Sequence, residues 1–172
     1  MNSMTNIGID PAIRQNGLAV ALITDGKAFC CRFTDYNEFH KWTLGLSFRT
    51  VSKVFMPSMK PPFLAVVEDS NLNNNTFRGK KSSRNKYGAL SRDAGKNMAV
   101  SSLIVGALSD IPSGLIHTVA PSNKGACYNE VFIRQLLKSE NIEYDFKKLN
   151  DDELWAMTFC IKAFFHNKTL KK

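Results

Sequence analysis

The dipeptide Asp25-Gly26 constrains this chain more than any other feature. It lies in TDGK, residues 24–27, between the apolar runs GLAVALI (17–23) and AFCCRF (28–33). A two-residue hairpin turn needs positive φ at both positions, which Asp and Gly accept, so the two runs predict antiparallel strands. A third run, TNIGID (5–10), precedes them and ends on a carboxylate, Asp10, followed by Pro11. The first 33 residues therefore predict a three-stranded antiparallel meander. Asp10 is either a turn residue or the first ligand of a metal site. The choice depends on whether other acids end strands beside it.

Downstream, Asp35 with Glu38 predicts a capping box, and Phe39, Trp42 and Leu46 follow at helical spacing. The segment KVFMPSMKPP (53–62) predicts no regular structure, because its three prolines remove backbone donors and fix φ. FLAVVED (63–69) is a continuous apolar run of strand length, suited to burial on both faces. From 91 to 108, Ala94, Met98, Ser101 or Ser102, Val105 and Leu108 recur with helical period, and Gly95, Ala99 and Gly106 leave room for another backbone. LIHTVA (115–120) predicts a fifth strand, in which His117 reads as a core residue. Residues 129–137 predict a helix carrying Val131, Ile133, Leu136 and Leu137, and 151–165 a last helix with Leu154, Met157, Ile161 and Phe164 on one stripe. With 172 residues and no internal repeat, one core suffices. The order predicts a single α/β domain over residues 1–172: a five-stranded mixed sheet, three strands antiparallel and two parallel, flanked by helices.

Several classes are excluded. No apolar run approaches a membrane span, and the N-terminus lacks the basic-then-apolar pattern of a secretory signal, so a cytoplasmic location is expected. The four cysteines show no CxxC pair and the three histidines no zinc spacing, which argues against a disulfide framework or a thiolate zinc site. The net charge of +8 is locally concentrated. In RGKKSSRNK, residues 78–86, five of nine side chains are basic, and residues 71–92 contain no acid. Arg78, Lys80, Lys81, Arg84 and Lys86 are flanked by Phe77 and Tyr87, with Lys96 further on. Cations that neutralise phosphates, interleaved with aromatics that stack on exposed bases, point to nucleic acid.

The acids complete the picture. Asp10 ends one predicted strand, Glu68 ends another, and Asp151, Asp152 and Glu153 open the last helix. Singly, each has an ordinary explanation as turn, strand end or helix N-terminus. Brought together, such carboxylates repel unless a cation intervenes, and their hard oxygens select Mg²⁺ or Mn²⁺.

The motifs IGIDPAIRQNGLAV, LAVVED, AGKNMAVSSLIVGAL, HTVAPSNKG and NDDELWA resemble those of the RuvC-like Holliday junction resolvases, a branch of the RNase H-like nuclease superfamily. The resemblance spans nearly the whole chain. It implies an RNase H-like fold and a metal-dependent, structure-selective endonuclease that cuts phosphodiester bonds in branched DNA as a homodimer. It matches Asp10 and Glu68 to the first two metal-binding acids, and Lys124 to a lysine near the scissile phosphate. The family pattern D-x-x-D-A would place its last pair on Asp152 and Trp155 if Ala156 is the small residue. Other registers pair Asn150 with Glu153 or turn Asp151 inward. The order of preference is Asp152, Asp151, then Glu153. Because Trp155 stands where an acid is expected, a nucleic-acid-binding domain with weakened or lost catalysis is the alternative. An actin-like or sugar-kinase-like phosphate loop would need a second half that the chain lacks. A proofreading exonuclease would need an acid where Ala12 stands.

Overall fold

The computed structural model describes residues 4–11, 17–45, 48–49, 55–72, 84–123 and 125–170. The expected meander is present. Strands β1 (Thr5–Asp10), β2 (Leu18–Thr24) and β3 (Lys27–Phe33) pair antiparallel in sequence. Asp25 and Gly26 have φ of 48° and 74°, the left-handed values their hairpin demands.

Helix α1 (Tyr36–Thr43) starts as expected. The Asp35 side chain accepts from Glu38 N at 3.0 Å, and Glu38 Oε2 accepts from Thr34 N at 2.9 Å. The helix stops before Leu46, at a Gly45 with φ of 80°; Leu46 lies outside the described residues. Two short strands, β4 (Phe48–Arg49) and β5 (Phe55–Met56), form a separate antiparallel pair, and β5 lies in the segment whose prolines had argued against regular structure. Then come β6 (Phe63–Glu68), α2 (Arg84–Ser109), β7 (Gly114–Val119), α3 (Glu130–Ser139), β8 (Glu143–Asp145) and α4 (Asp151–Leu170). Helix α2 begins at Arg84 rather than 91, so the end of the basic segment is helical.

The sheet order is β7-β6-β1-β2-β3-β8. β6 lies parallel to β1, and β7 parallel to β6. Three antiparallel strands followed by two parallel ones is the RNase H-like α/β arrangement. The count differs from expectation: a sixth strand, β8, joins the outer edge of β3 in parallel. It is only three residues long, too short for periodicity to reveal.

The two faces of the sheet differ in side-chain size. One carries Ile7, Ile9, Val20, Leu22, Phe33, Phe63 and Val67, packed against Phe39 and Trp42 of α1 and Ile104 and Leu108 of α2. Each large side chain buried there contributes about 1.5–3 kcal/mol. On the other face the meander is mostly small: Ala19, Ala21, Ala28 and Cys30, with Ile23, meet Ile133 and Leu137 of α3 and Ala156, Met157, Cys160 and Ile161 of α4. Small residues let α4 lie close. At Gly8 a β-carbon would fall 2.0 Å from the Ala156 carbonyl oxygen and 2.3 Å from Cys160 N.

Candidate active site

The position of α4 follows from its contacts with β1. The Asn167 side chain donates to that of Asn6 near the start of β1. Cys160 Sγ donates to the Asn6 carbonyl at 3.2 Å, and Gly8 faces Ala156 and Cys160. The helix thus runs antiparallel to β1, and its N-terminus lies toward the strand end that carries Asp10.

Asp10 lies on the same face as Asn6 and Gly8, because side chains alternate along a strand. Ile9 pairs with Val67 in the parallel β1–β6 register, so Asp10 and Glu68 are the next residues in step. In-register residues of neighbouring strands share a face, with backbones about 4.8 Å apart. Both side chains are nearly buried, at 3% and 9% exposure. Asp10 also pairs with Ala19, and Ala19 with Arg32. A row therefore crosses the sheet on the α4 face: Arg32, Ala19, Asp10, Glu68 and, on β7, Val119.

The three acids of α4 separate by angular position and by partner. Ala156, Cys160, Ala163 and Asn167 form the buried stripe, and Asp152 is the next residue of that stripe toward the N-terminus. At about 100° per residue, Asp152 and Glu153 each lie about 50° from the centre of that stripe, on opposite sides, and Asp151 about 150° from it. Asp152 is half-buried, whereas Asp151 is exposed. Glu153 has other partners. Its Oε2 accepts from Asn150 N at 2.9 Å while Asn150 Oδ1 accepts from Glu153 N at 3.0 Å, a reciprocal cap. Its Oε1 is also 3.4 Å from Arg32 Nε, an ion pair without hydrogen-bond geometry. Trp155 packs beside Leu64, Val66 and Phe159, over β6, with its ring 5.7 Å from that of Phe159.

Beyond Glu68 the chain is anchored to α2. The fully buried Ser101 hydroxyl lies 3.3 Å from the Glu68 carbonyl and 2.9 Å from that of Asn97, and it accepts from Ser70 N at 3.4 Å. Asn71 Nδ2 donates to the Met98 carbonyl at 3.0 Å. These bonds fix the exit of β6.

Among the described residues, no three His, Cys, Asp or Glu side chains converge closely enough to hold a metal ion. The arrangement is thus a pair of neighbouring carboxylates, with Asp152 on the overlying helix. Hard carboxylate oxygens suit Mg²⁺, which commonly takes one or two carboxylates and completes its shell with water and substrate phosphate. In this sense Asp10 and Glu68 fit such an ion.

Of the other expected residues, Phe77, Arg78, Lys80, Lys81 and Lys124 lie outside the described residues. Arg84, Lys86 and Tyr87 fall in the first turn of α2, and Lys96 is exposed on the same helix. His117 is corrected: it is no core residue. It is exposed on the α4 face of β7, because β7 ends the sheet and α4 leaves that edge uncovered.

No family model and no curated protein matches the chain. Among solved structures, it is similar to T. thermophilus RuvC in complex with Holliday junction substrate, with a TM-score of 0.49 and 12% identity, covering 97% of this chain and 96% of that one. A likeness at that level assigns a role to no residue. Among the described residues, no helix is long and apolar enough to cross a membrane.

Proposed function

We propose that this chain is a metal-dependent endonuclease that cleaves phosphodiester bonds in branched DNA, in the manner of a Holliday junction resolvase acting in the cytoplasm. The observation that carries the proposal is the pairing of Asp10 and Glu68 at adjacent ends of two parallel strands, on one face, beneath the N-terminus of α4. Two buried carboxylates in neighbouring strands repel, and a divalent cation offsets that cost. Asp10 and Glu68 would hold Mg²⁺ or Mn²⁺, with Asp152 the best placed of the helix acids to join them and Asp151 the next. Glu153 serves the fold through Asn150 and Arg32. The bound ion would supply a polarised water and charge stabilisation at the phosphate. Lys124 would steady the phosphate charge, and the basic segment 77–87 with Lys96 would bind the DNA backbone.

A homodimer suits cutting two strands symmetrically. Gly95, Ala99, Ser102 and Gly106 lie exposed along α2, and a β-carbon on either glycine would meet nothing within 4 Å. That face can accept a second helix closely.

The test is cleavage of a synthetic four-way junction in Mg²⁺ or Mn²⁺. The wild-type chain is expected to cut it. Asp10→Asn and Glu68→Gln should each lose at least 100-fold in rate while still binding the junction. Trp155 and the lack of a third converging ligand among the described residues favour a second reading, a nucleic-acid-binding domain with lost catalysis. Binding without cutting in either metal would establish that reading instead.

A further inference from the structure

We infer that Arg32 is a positioning residue of the proposed metal site: paired with Glu153, it fixes the rotation of the first turn of α4 and so turns Asp152, not Glu153, toward Asp10 and Glu68; this rests on the metal-dependent reading above. Arg32 stands on β3 in the row that holds Asp10, two strands away with Ala19 between them, about 10 Å from backbone to backbone. Cys30, two residues earlier on the same face of β3, donates through Sγ to the Glu153 carbonyl at 3.8 Å. Arg32 Nε lies 3.4 Å from Glu153 Oε1. Glu153 is therefore held to β3 by both its backbone and its carboxylate, and to Asn150 by the reciprocal cap.

Asp152 and Glu153 flank the buried stripe of α4 on opposite sides. Asp152 lies seven residues before Phe159 and so within about 20° of its direction, and Phe159 packs on Leu64 and Val66 of β6, on the strand face that ends at Glu68. Glu153 lies within about 40° of Met157, which packs on the meander. A rotation of about 50° about the helix axis would bring Glu153 to the middle of the stripe and swing Asp152 to about 100° from it. Such a turn draws Glu153 away from Arg32. The Nε of Arg32 is buried and makes no hydrogen bond, and the Glu153 side chain is only 13% exposed. Separating these charges would leave a buried donor unpaired, which opposes the rotation. Ala156 and Cys160 fix the helix against Gly8 from its second turn onward, and the pair extends that hold to the first turn. It also engages the Glu153 carboxylate with a cation, so that Glu153 does not compete with Asp152 for the metal.

The probe is Mn²⁺ alone, titrated into the full chain without DNA, with the free ion read by electron paramagnetic resonance. The pair is removed whole, as Arg32→Gln with Glu153→Gln, so that no lone charge stays buried and no freed carboxylate takes the place of Asp152. Circular dichroism checks that the variant folds. Partners that orient metal ligands from behind typically contribute 10–100-fold in affinity, so Mn²⁺ binding should weaken at least tenfold. Asp152→Asn alone should weaken it as much, and removing the pair in that background should add less than twofold, because the pair acts through Asp152. Arg32→Lys, which keeps the charge, should stay within about threefold of wild type. A folded pair variant with wild-type affinity overturns the inference, as does a loss that persists undiminished in the Asp152→Asn background. Independently of any variant, a wild-type crystal soaked in Mn²⁺ should show Asp152 on the ion and Glu153 still on Arg32; Glu153 on the ion overturns the inference while leaving the metal site intact. A wild-type chain that binds no Mn²⁺ overturns both.

Discussion

The contact between Gly8 and α4 can be tested by a single methyl group. In Gly8→Ala the new β-carbon would fall 2.0 Å from the Ala156 carbonyl oxygen and 2.3 Å from Cys160 N. Both obstacles are helix backbone, so no side-chain rotation can relieve the overlap. The helix must move away from β1 by more than an ångström, loosening Ala156 and Cys160, both fully buried. Overpacking a core typically costs 1–3 kcal/mol, and rigid obstacles place this case near the top, at about 3 kcal/mol. For a chain of this size, each kcal/mol lowers Tm by about 2–4 °C, giving a loss of roughly 6–12 °C. Thermal unfolding by circular dichroism measures it. Gly106→Ala is the control, since its β-carbon would meet nothing within 4 Å and lies mid-helix, where alanine is favoured by up to about 1 kcal/mol. If the proposed metal site is right, the same shift would carry Asp152 away from Asp10, and stabilisation by added Mg²⁺ should weaken too. A Gly8→Ala chain within 2 °C of wild type would refute the packing of α4 on β1 and, with it, the placement of Asp152.

Two further outcomes are expected. Glu130 accepts from Arg134 Nε at 2.9 Å and from Leu149 N at 3.1 Å, and these bonds hold its carboxyl below the usual range. A lowered folded value means the stabilisation is complete above the unfolded value of about 4.3 and is lost as pH falls through the folded one. Glu130→Gln should therefore lower Tm by about 2–4 °C at pH 7, a gap that closes in acid; a gap that persisted at pH 2 would remove the charge from the explanation. Burial pushes the thiols of Cys30, Cys31 and Cys160 up, whereas Cys127 is half-buried. Iodoacetamide at pH 8 should label Cys127 first, read by mass spectrometry, with the other three reacting only on unfolding.

Much of the fold was legible because its signals are local. Asp25-Gly26 and the Asp35–Glu38 cap each depend on residues a few positions apart, and each forms as expected. The strand ends at Asp10 and Glu68 were also visible, since an apolar run that stops at a carboxylate marks its own boundary. Their adjacency was not, because it depends on β6 returning beside β1. β8 is stabilised by its place against β3 and by Ile142 and Leu149 beneath it, not by its own three residues. Arg32 and Glu153 meet only through the helix-on-sheet geometry, so the sequence could rank Asp152, Asp151 and Glu153 but not show that Glu153 is tied to Arg32. His117 misled because an edge strand has one open face, and a run of apolar letters does not say which strand is last in the sheet.

The small-residue face of the meander has a consequence for how the protein is made. Ala19, Ala21, Ala28 and Cys30 are covered by α3 and α4, which follow them by about 100 residues or more. β3 likewise waits for β8, since Lys27 pairs with Glu143. A nascent chain emerging from the ribosome exposes one bare apolar surface and one unpaired strand edge until residues 130–170 have followed. Contacts so distant in sequence slow folding and prolong exposure to aggregation. The closing helix therefore covers that surface at the same moment as it brings Asp152 over the carboxylate pair.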